Sequence, residues 1–211
     1  MKYALRSFIA IAIALSIASG LSLALTEGSG SLFGYPAIAV CAVIAFGIQW
    51  LVFLPSYYFQ TEHYFDLTGS LTYIGLVLIV LLAGSQHDSR TLLVSVMVFV
   101  WAGRLGLFLF RRVKRAGKDG RFDVIKTRWP RFLVTWTLQG LWVFVTLLAA
   151  LVVMTSTTKV ALEFFAAAGT LLWLLGFAIE VLAAAQKPSF NADPANAGKF
   201  VDTGLWRWSR H

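Results

Sequence analysis

Long apolar stretches alternate with short polar ones along the whole chain. Phe8–Leu25, Ala37–Gln60, Leu67–Gln86 and Phe132–Thr158 contain no charged residue. Each reaches or approaches the roughly 20 residues that a helix needs to cross a bilayer. Thr91–Phe110 and Phe164–Ala185 are of similar length and hold one charge each, Arg104 and Glu180. The pattern predicts an all-α protein, a polytopic transmembrane helical bundle of about six spans. The first run follows Lys2 and Arg6 and ends in the small residues of Ser22-Leu23-Ala24, which also suits a cleaved leader. Five further spans with no extracellular domain favour a retained first helix.

The connections between these runs are short. Thr26–Pro36 is rich in Gly and Ser and reads as an external turn. Pro55–Asp66 carries Tyr57, Tyr58, Gln60, Glu62, His63 and Tyr64, and Asp66 is placed to cap the third helix. Ser85–Arg90 is another short turn. The fourth connection, 111–131, holds nine cations against Asp119 and Asp123, is broken by Gly117 and Gly120, and leads into Trp129-Pro130. Such a segment is a juxtamembrane anchor for anionic head groups or a cationic lid over an anionic cofactor. No repeat, low-complexity tract or linker interrupts the chain, which reads as one integral-membrane domain over 1–211.

Composition supports the class and then limits it. Hydrophobic residues make up 58% of the chain and charged residues 13%, about half the charged share of a soluble domain. The net charge of +8 invites a nucleic-acid partner, but its distribution argues for topology. With the N-terminus cytoplasmic, fifteen of the eighteen cations fall on one face, leaving Arg90 and Lys159 opposite and Arg104 within a span. That is the positive-inside bias. Cys41 is the only cysteine, so no intrachain disulfide forms. His63, His87 and His211 lie too far apart in sequence to read as a zinc site.

Ionisable groups inside spans are costly and mark function or an internal ion pair. Arg104 precedes Arg111 by seven residues and Glu180 precedes Lys187 by seven, about 10 Å of helix in each case. Both therefore sit below the same head-group level, with Arg104 either snorkelling outward, pairing with Glu180, or serving a site. Thr135 and Gln139 share a helix face, as do Thr68 and Thr72, the latter pair reading as interhelical glue. These polar groups gather toward one end of the bundle. That arrangement describes a crevice open to the cytosol, whereas a transporter places its polar groups nearer the midplane on broken helices. The last residues turn polar and cationic. Pro188, Pro194, Gly198 and Gly204 predict a structured turn, Asn196 offers donors and acceptors, and Lys187, Lys199, Arg207, Arg210 and His211 suit a phosphate or carboxylate. Trp206 and Trp208 belong at the membrane interface or stack on a flat ring.

Glu180, Gln186-Lys187, Phe190, Pro194, Asn196, Gly198, Phe200, Gly204-Leu205-Trp206 and Ser209-Arg210-His211 resemble the C-terminal signature of the steroid 5-alpha-reductase-like membrane proteins. The nearest likeness is to their bacterial and plant branch of unknown function, related to the isoprenylcysteine carboxyl methyltransferases. Phe65–Tyr73 and Trp101–Gly106 are similar to the same branch, so the resemblance runs from about Glu62 onward. It implies an integral protein of a bacterial inner membrane or eukaryotic endomembrane, with a cofactor mouth facing the cytosol that begins at 186–211. The implied activity is reduction of a C=C bond in a hydrophobic, steroid-like lipid substrate with NADPH. The alternative is an S-adenosylmethionine-dependent lipid or isoprenylcysteine methyltransferase. The implied cofactor contacts are Glu180, Lys187, Asn196, Lys199, Ser209, Arg210 and His211. Arg104 matches an arginine of the catalytic half, and Glu62 or Tyr64 is the candidate proton donor. The branch carries an Asp where this chain has Ala184, and relatives continue beyond Arg-His with further helix. The first feature implies altered cofactor affinity or choice and the second a truncated chain, and together they add a third expectation, a non-catalytic membrane protein.

Overall fold

A computed structural model describes residues 2–84, 88–117, 119–158 and 160–209. Ser85, Gln86, His87, Lys159, Arg210 and His211, named above, lie outside the described residues. The described residues form six α-helices, α1 (Lys2–Ala24), α2 (Ala37–Tyr58), α3 (Phe65–Ala83), α4 (Ser89–Ala116), α5 (Trp129–Thr155) and α6 (Phe164–Ala192), with a two-stranded hairpin of β1 (Ser31–Leu32) and β2 (Tyr35–Pro36). All six helices are long and apolar enough to cross a membrane, so the expected all-α transmembrane architecture holds. The chain divides into two compact units, Met1–Ala161 and Leu162–His211.

In the first unit α2, α3 and α5 surround a core that includes Ile38, Cys41, Ala45, Leu76, Phe144 and Leu151. Between membrane helices lipid is as apolar as leucine, so close packing and interhelical hydrogen bonds supply the attraction. Both are present. A Cβ on Gly140 of α5 would stand 3.0 Å from the Phe46 ring and 3.3 Å from its backbone on α2. A Cβ on Gly106 of α4 would meet Cβ of Ser70 on α3 at 2.6 Å. Three polar side chains tie α2, α3 and α5 together. Gln49 donates to Thr72 Oγ1 at 2.9 Å, and Gln139 donates to Gln49 Oε1 at 3.1 Å and to the Phe65 carbonyl at 2.7 Å. The interhelical role expected of Thr72 is seen directly. Leu51, Leu82 and Val43 face outward from the bundle.

The first connection folds as the hairpin. Phe33 and Gly34 take φ of 55° and 83°, the left-handed backbone that tight two-residue hairpins need. It rests on the end of α5, where Gly30 N–H donates to the Thr155 carbonyl at 2.6 Å.

Three local expectations are corrected. Asp66 does not cap α3; Tyr64 occupies the cap position and Asp66 sits in the first turn, where its charge faces the positive end of the helix dipole. The basic connection is helical at its start, since α4 continues through Arg111, Arg112 and Lys114 to a cap at Gly117. Arginine and lysine are good helix formers, and their charge suits a helix C-terminus. Pro188 lies inside α6, which continues to Ala192. Proline withholds only the one N–H that would reach Ala184, and Ser189 Oγ donates to the Ala185 carbonyl at 3.1 Å beside the gap.

Candidate functional site

Glu62 lies in the connection between α2 and α3 and is 3% exposed. A carboxylate there needs partners, and it has two from the α4–α5 connection. Lys126 Nζ donates to Oε2 at 2.5 Å, and the Asp119 amide donates to Oε1 at 3.0 Å. Burial pushes the Glu62 carboxyl up, but these partners together outweigh it and hold it below the usual carboxylate range. Such a group is ionised and donates a proton poorly. Beside it, His63 Nε2 is 2.7 Å from the Gly117 carbonyl and Nδ1 is 2.7 Å from Thr61 Oγ1.

The basic segment is therefore pinned. Arg121 binds Asp119 through both carboxylate oxygens, at 2.5 Å for the closest contact. That hydrogen bonding lowers the Asp119 carboxyl and raises the Arg121 guanidinium. Arg112 reaches Asp66 at 3.5 Å. Phe122 anchors the segment in an aromatic cluster, 5.0 Å from the Phe65 ring, with Phe132 and Trp136 beyond. Tyr64 is 55% exposed, and its carbonyl accepts from Thr68 Oγ1 at 2.7 Å.

Adjacent to this clamp, α3, α4 and α5 border an open cleft of about 450 Å³. Its walls are Leu105, Leu109, Leu138, Trp142, Val143 and Trp101, and its polar groups are Asp66, Ser70, Tyr73, Thr135 and Gln139. The Tyr73 hydroxyl is 2.5 Å from Thr146 Oγ1, and its ring meets Trp101 edge-on at 4.9 Å. Arg104 immediately precedes the cleft residue Leu105 on α4 and is partly buried, its guanidinium 5.9 Å from the Phe108 ring centre.

In the second unit the tail folds back onto α6. Leu205 N–H donates to Gln186 Oε1 at 2.9 Å and Trp206 Nε1 to the Ala183 carbonyl at 3.0 Å. Gly204, at φ 59°, allows the approach, because a Cβ there would stand 2.6 Å from Gln186 Oε1. Lys187 lies over the Trp206 ring at 5.3 Å. Asn196 donates to the Phe190 carbonyl at 3.1 Å and, through its own carbonyl, accepts from Lys199 N–H at 3.0 Å. The Lys199 and Ser209 side chains are exposed and Glu180 is half-buried one turn before Ala183.

The candidates thus gather in two places. Glu62, Tyr64 and Arg104 belong to the first unit, in the clamp and on the helix that walls the cleft; Glu180, Lys187, Asn196, Lys199 and Ser209 belong to the tail and its helix. Sequence reading did not single out Gln49, fully buried in a span without charges, nor Tyr73 as a cleft group. A lone amide inside an apolar run was the available signal for Gln49; an amphipathic tyrosine gave none.

No curated protein and no solved structure matches the chain. Residues 52–211, which include the clamp, the cleft and the tail, match one family throughout, and the chain belongs to that family, described as protein of unknown function (DUF1295).

Proposed function

We propose that the protein is a membrane oxidoreductase that reduces a C=C bond of a hydrophobic, steroid-like or isoprenoid substrate with NADPH. The observation that carries this reading is the cleft between α3, α4 and α5. Its volume of about 450 Å³ falls in the range of small-molecule sites, and apolar walls with a few polar groups are what such sites use. An apolar enone fits the walls, and its carbonyl takes a hydrogen bond from the Tyr73 hydroxyl in place of Thr146. Tyr73 is the phenolic hydroxyl of the lining and takes the general-acid role, while Asp66 pairs with Arg112 at the edge of the cleft. Glu62 positions the α4–α5 connection beside them.

The residues of the tail suit NADPH. Lys187, Lys199 and Arg207 are exposed cations fitted to its phosphates, and Asn196 and Ser209 add polar contacts, with Arg210 and His211 completing the set that the resemblance to the steroid 5-alpha-reductase-like proteins implies. Bound there, the cofactor supplies hydride, while the protein contributes binding and orientation. The test is calorimetric titration of the chain in detergent with NADPH and with S-adenosylmethionine, followed by NADPH oxidation in the presence of a panel of hydrophobic enones. Binding of NADPH with enone-dependent oxidation is expected. Binding of S-adenosylmethionine alone moves the assignment to a methyltransferase, and binding of neither to a non-catalytic lipid-binding protein.

A further inference from the structure

A second cavity, of about 660 Å³, opens where α1, the end of α2 and the start of α5 meet. Three arginines line it, Arg6 of α1 with Arg128 and Arg131 at the start of α5, and none of the lining residues is acidic. Tyr57 and Trp129 wall it, and Ala10 belongs to its apolar floor. This cavity is separate from the cleft and shares no residue with it.

We propose that it binds an anionic phospholipid, with the phosphodiester head held by Arg6, Arg128 and Arg131 and the glycerol and upper acyl chain on the apolar floor. The charge argues for an anion. Arg128 is the N-cap of α5 and Arg131 lies in its first turn, which contains no acidic residue. An anion at the positive end of this 27-residue helix interacts favourably with the dipole and with the first-turn N–H groups, and the arginines add to that attraction. The depth argues for a lipid. Trp129 opens the membrane-crossing segment of α5, is 45% exposed and meets Phe8 of α1 edge-on at 5.9 Å. Tryptophan in that position marks the head-group level, where basic pockets between helices recognise anionic lipids. The apolar floor argues against a free anion, which gains nothing from Ala10 or Val134. The inference is independent of the reductase assignment.

Native mass spectrometry of the detergent-purified chain, titrated with dioleoylphosphatidylglycerol and separately with dioleoylphosphatidylcholine, tests it. One tightly held phosphatidylglycerol is expected, with phosphatidylcholine weaker. The double variant R128Q/R131Q is expected to weaken phosphatidylglycerol by about tenfold or more, since each juxtamembrane cation contributes on the order of 1 kcal/mol toward an anionic lipid. R111Q/K114Q, which removes equal charge from exposed positions on α4, leaves the affinity unchanged. Ala10→Phe fills the floor without altering charge and displaces the lipid at an unchanged melting temperature. Equal loss from both charge pairs, equal affinity for the two lipids, full retention of lipid by Ala10→Phe, or displacement of the lipid by millimolar inorganic phosphate would each overturn the proposal.

Discussion

Glu62 shows how one residue type supports two opposite roles. By resemblance it stands near a proton-donating acid, and a buried carboxyl is the usual starting point for one. Its surroundings reverse that tendency, because Lys126 and the Asp119 amide stabilise the charged form. The expected consequence is structural. Lys126→Met leaves the buried carboxylate unpaired and is expected to cost about 3 kcal/mol, read as a lower melting temperature and as tryptic cleavage within 117–128. Glu62→Gln/Lys126→Met removes both charges and is expected to recover part of that loss, a coupling that a double-mutant cycle measures. The pH dependence carries a definite sign. A carboxyl held low in the folded state contributes its stability fully above the ordinary unfolded value of about 4.3 and loses it as pH falls through the lowered folded value. Melting of the native chain is therefore expected to fall below about pH 4 more steeply than that of the double variant. Parallel curves would show that the pair contributes nothing.

At the scale of the helix, contacts between α2, α3, α4 and α5 are set by where small residues permit close approach. Gly106 and Gly103 share α4 and differ only in what faces them, Ser70 Cβ in one case and open space in the other. Gly106→Ala forces α4 from α3 and is expected to cost about 1–3 kcal/mol. Gly103→Ala is expected to be neutral or slightly stabilising, because alanine is the better helix former. Thermal melting of the two variants side by side checks the pair, and equal behaviour would remove the assigned contact. Sequence reading reached the six helices because a span needs only length and an absence of charge, both local properties. It did not reach their ends. Pro188 carries the ordinary signal for a stop, yet a single missing N–H does not end a helix of 29 residues. It also identified Thr72 and Gln139 without finding Gln49, which joins them across 23 and 90 residues of chain. Pairing over that separation leaves no trace in local periodicity. The tail was legible as a turn-rich cationic segment, while the contacts of Trp206 and Gln186 with α6 emerged only from the fold.

For the whole molecule, the reductase reading assigns substrate to the first unit and cofactor phosphates to the second, and that division can be separated experimentally. Leu105 lies on the cleft wall and takes no part in the core network of Gln49, Thr72 and Gln139. Leu105→Trp narrows the cleft, and even small changes in an apolar pocket alter discrimination by roughly tenfold or more. The variant is expected to lower kcat/KM for the hydrophobic substrate by about that factor while leaving the calorimetric affinity for NADPH intact. Lys199→Glu places an acid where the tail presents an exposed cation and is expected to weaken NADPH binding while leaving the KM for substrate unchanged at saturating cofactor. Retained NADPH affinity in the first variant shows that the protein is folded, so loss of turnover there reports on the cleft itself. If Leu105→Trp weakens the cofactor and spares substrate kinetics, the cleft is not where the substrate reacts, and the assignment of roles between the two units fails.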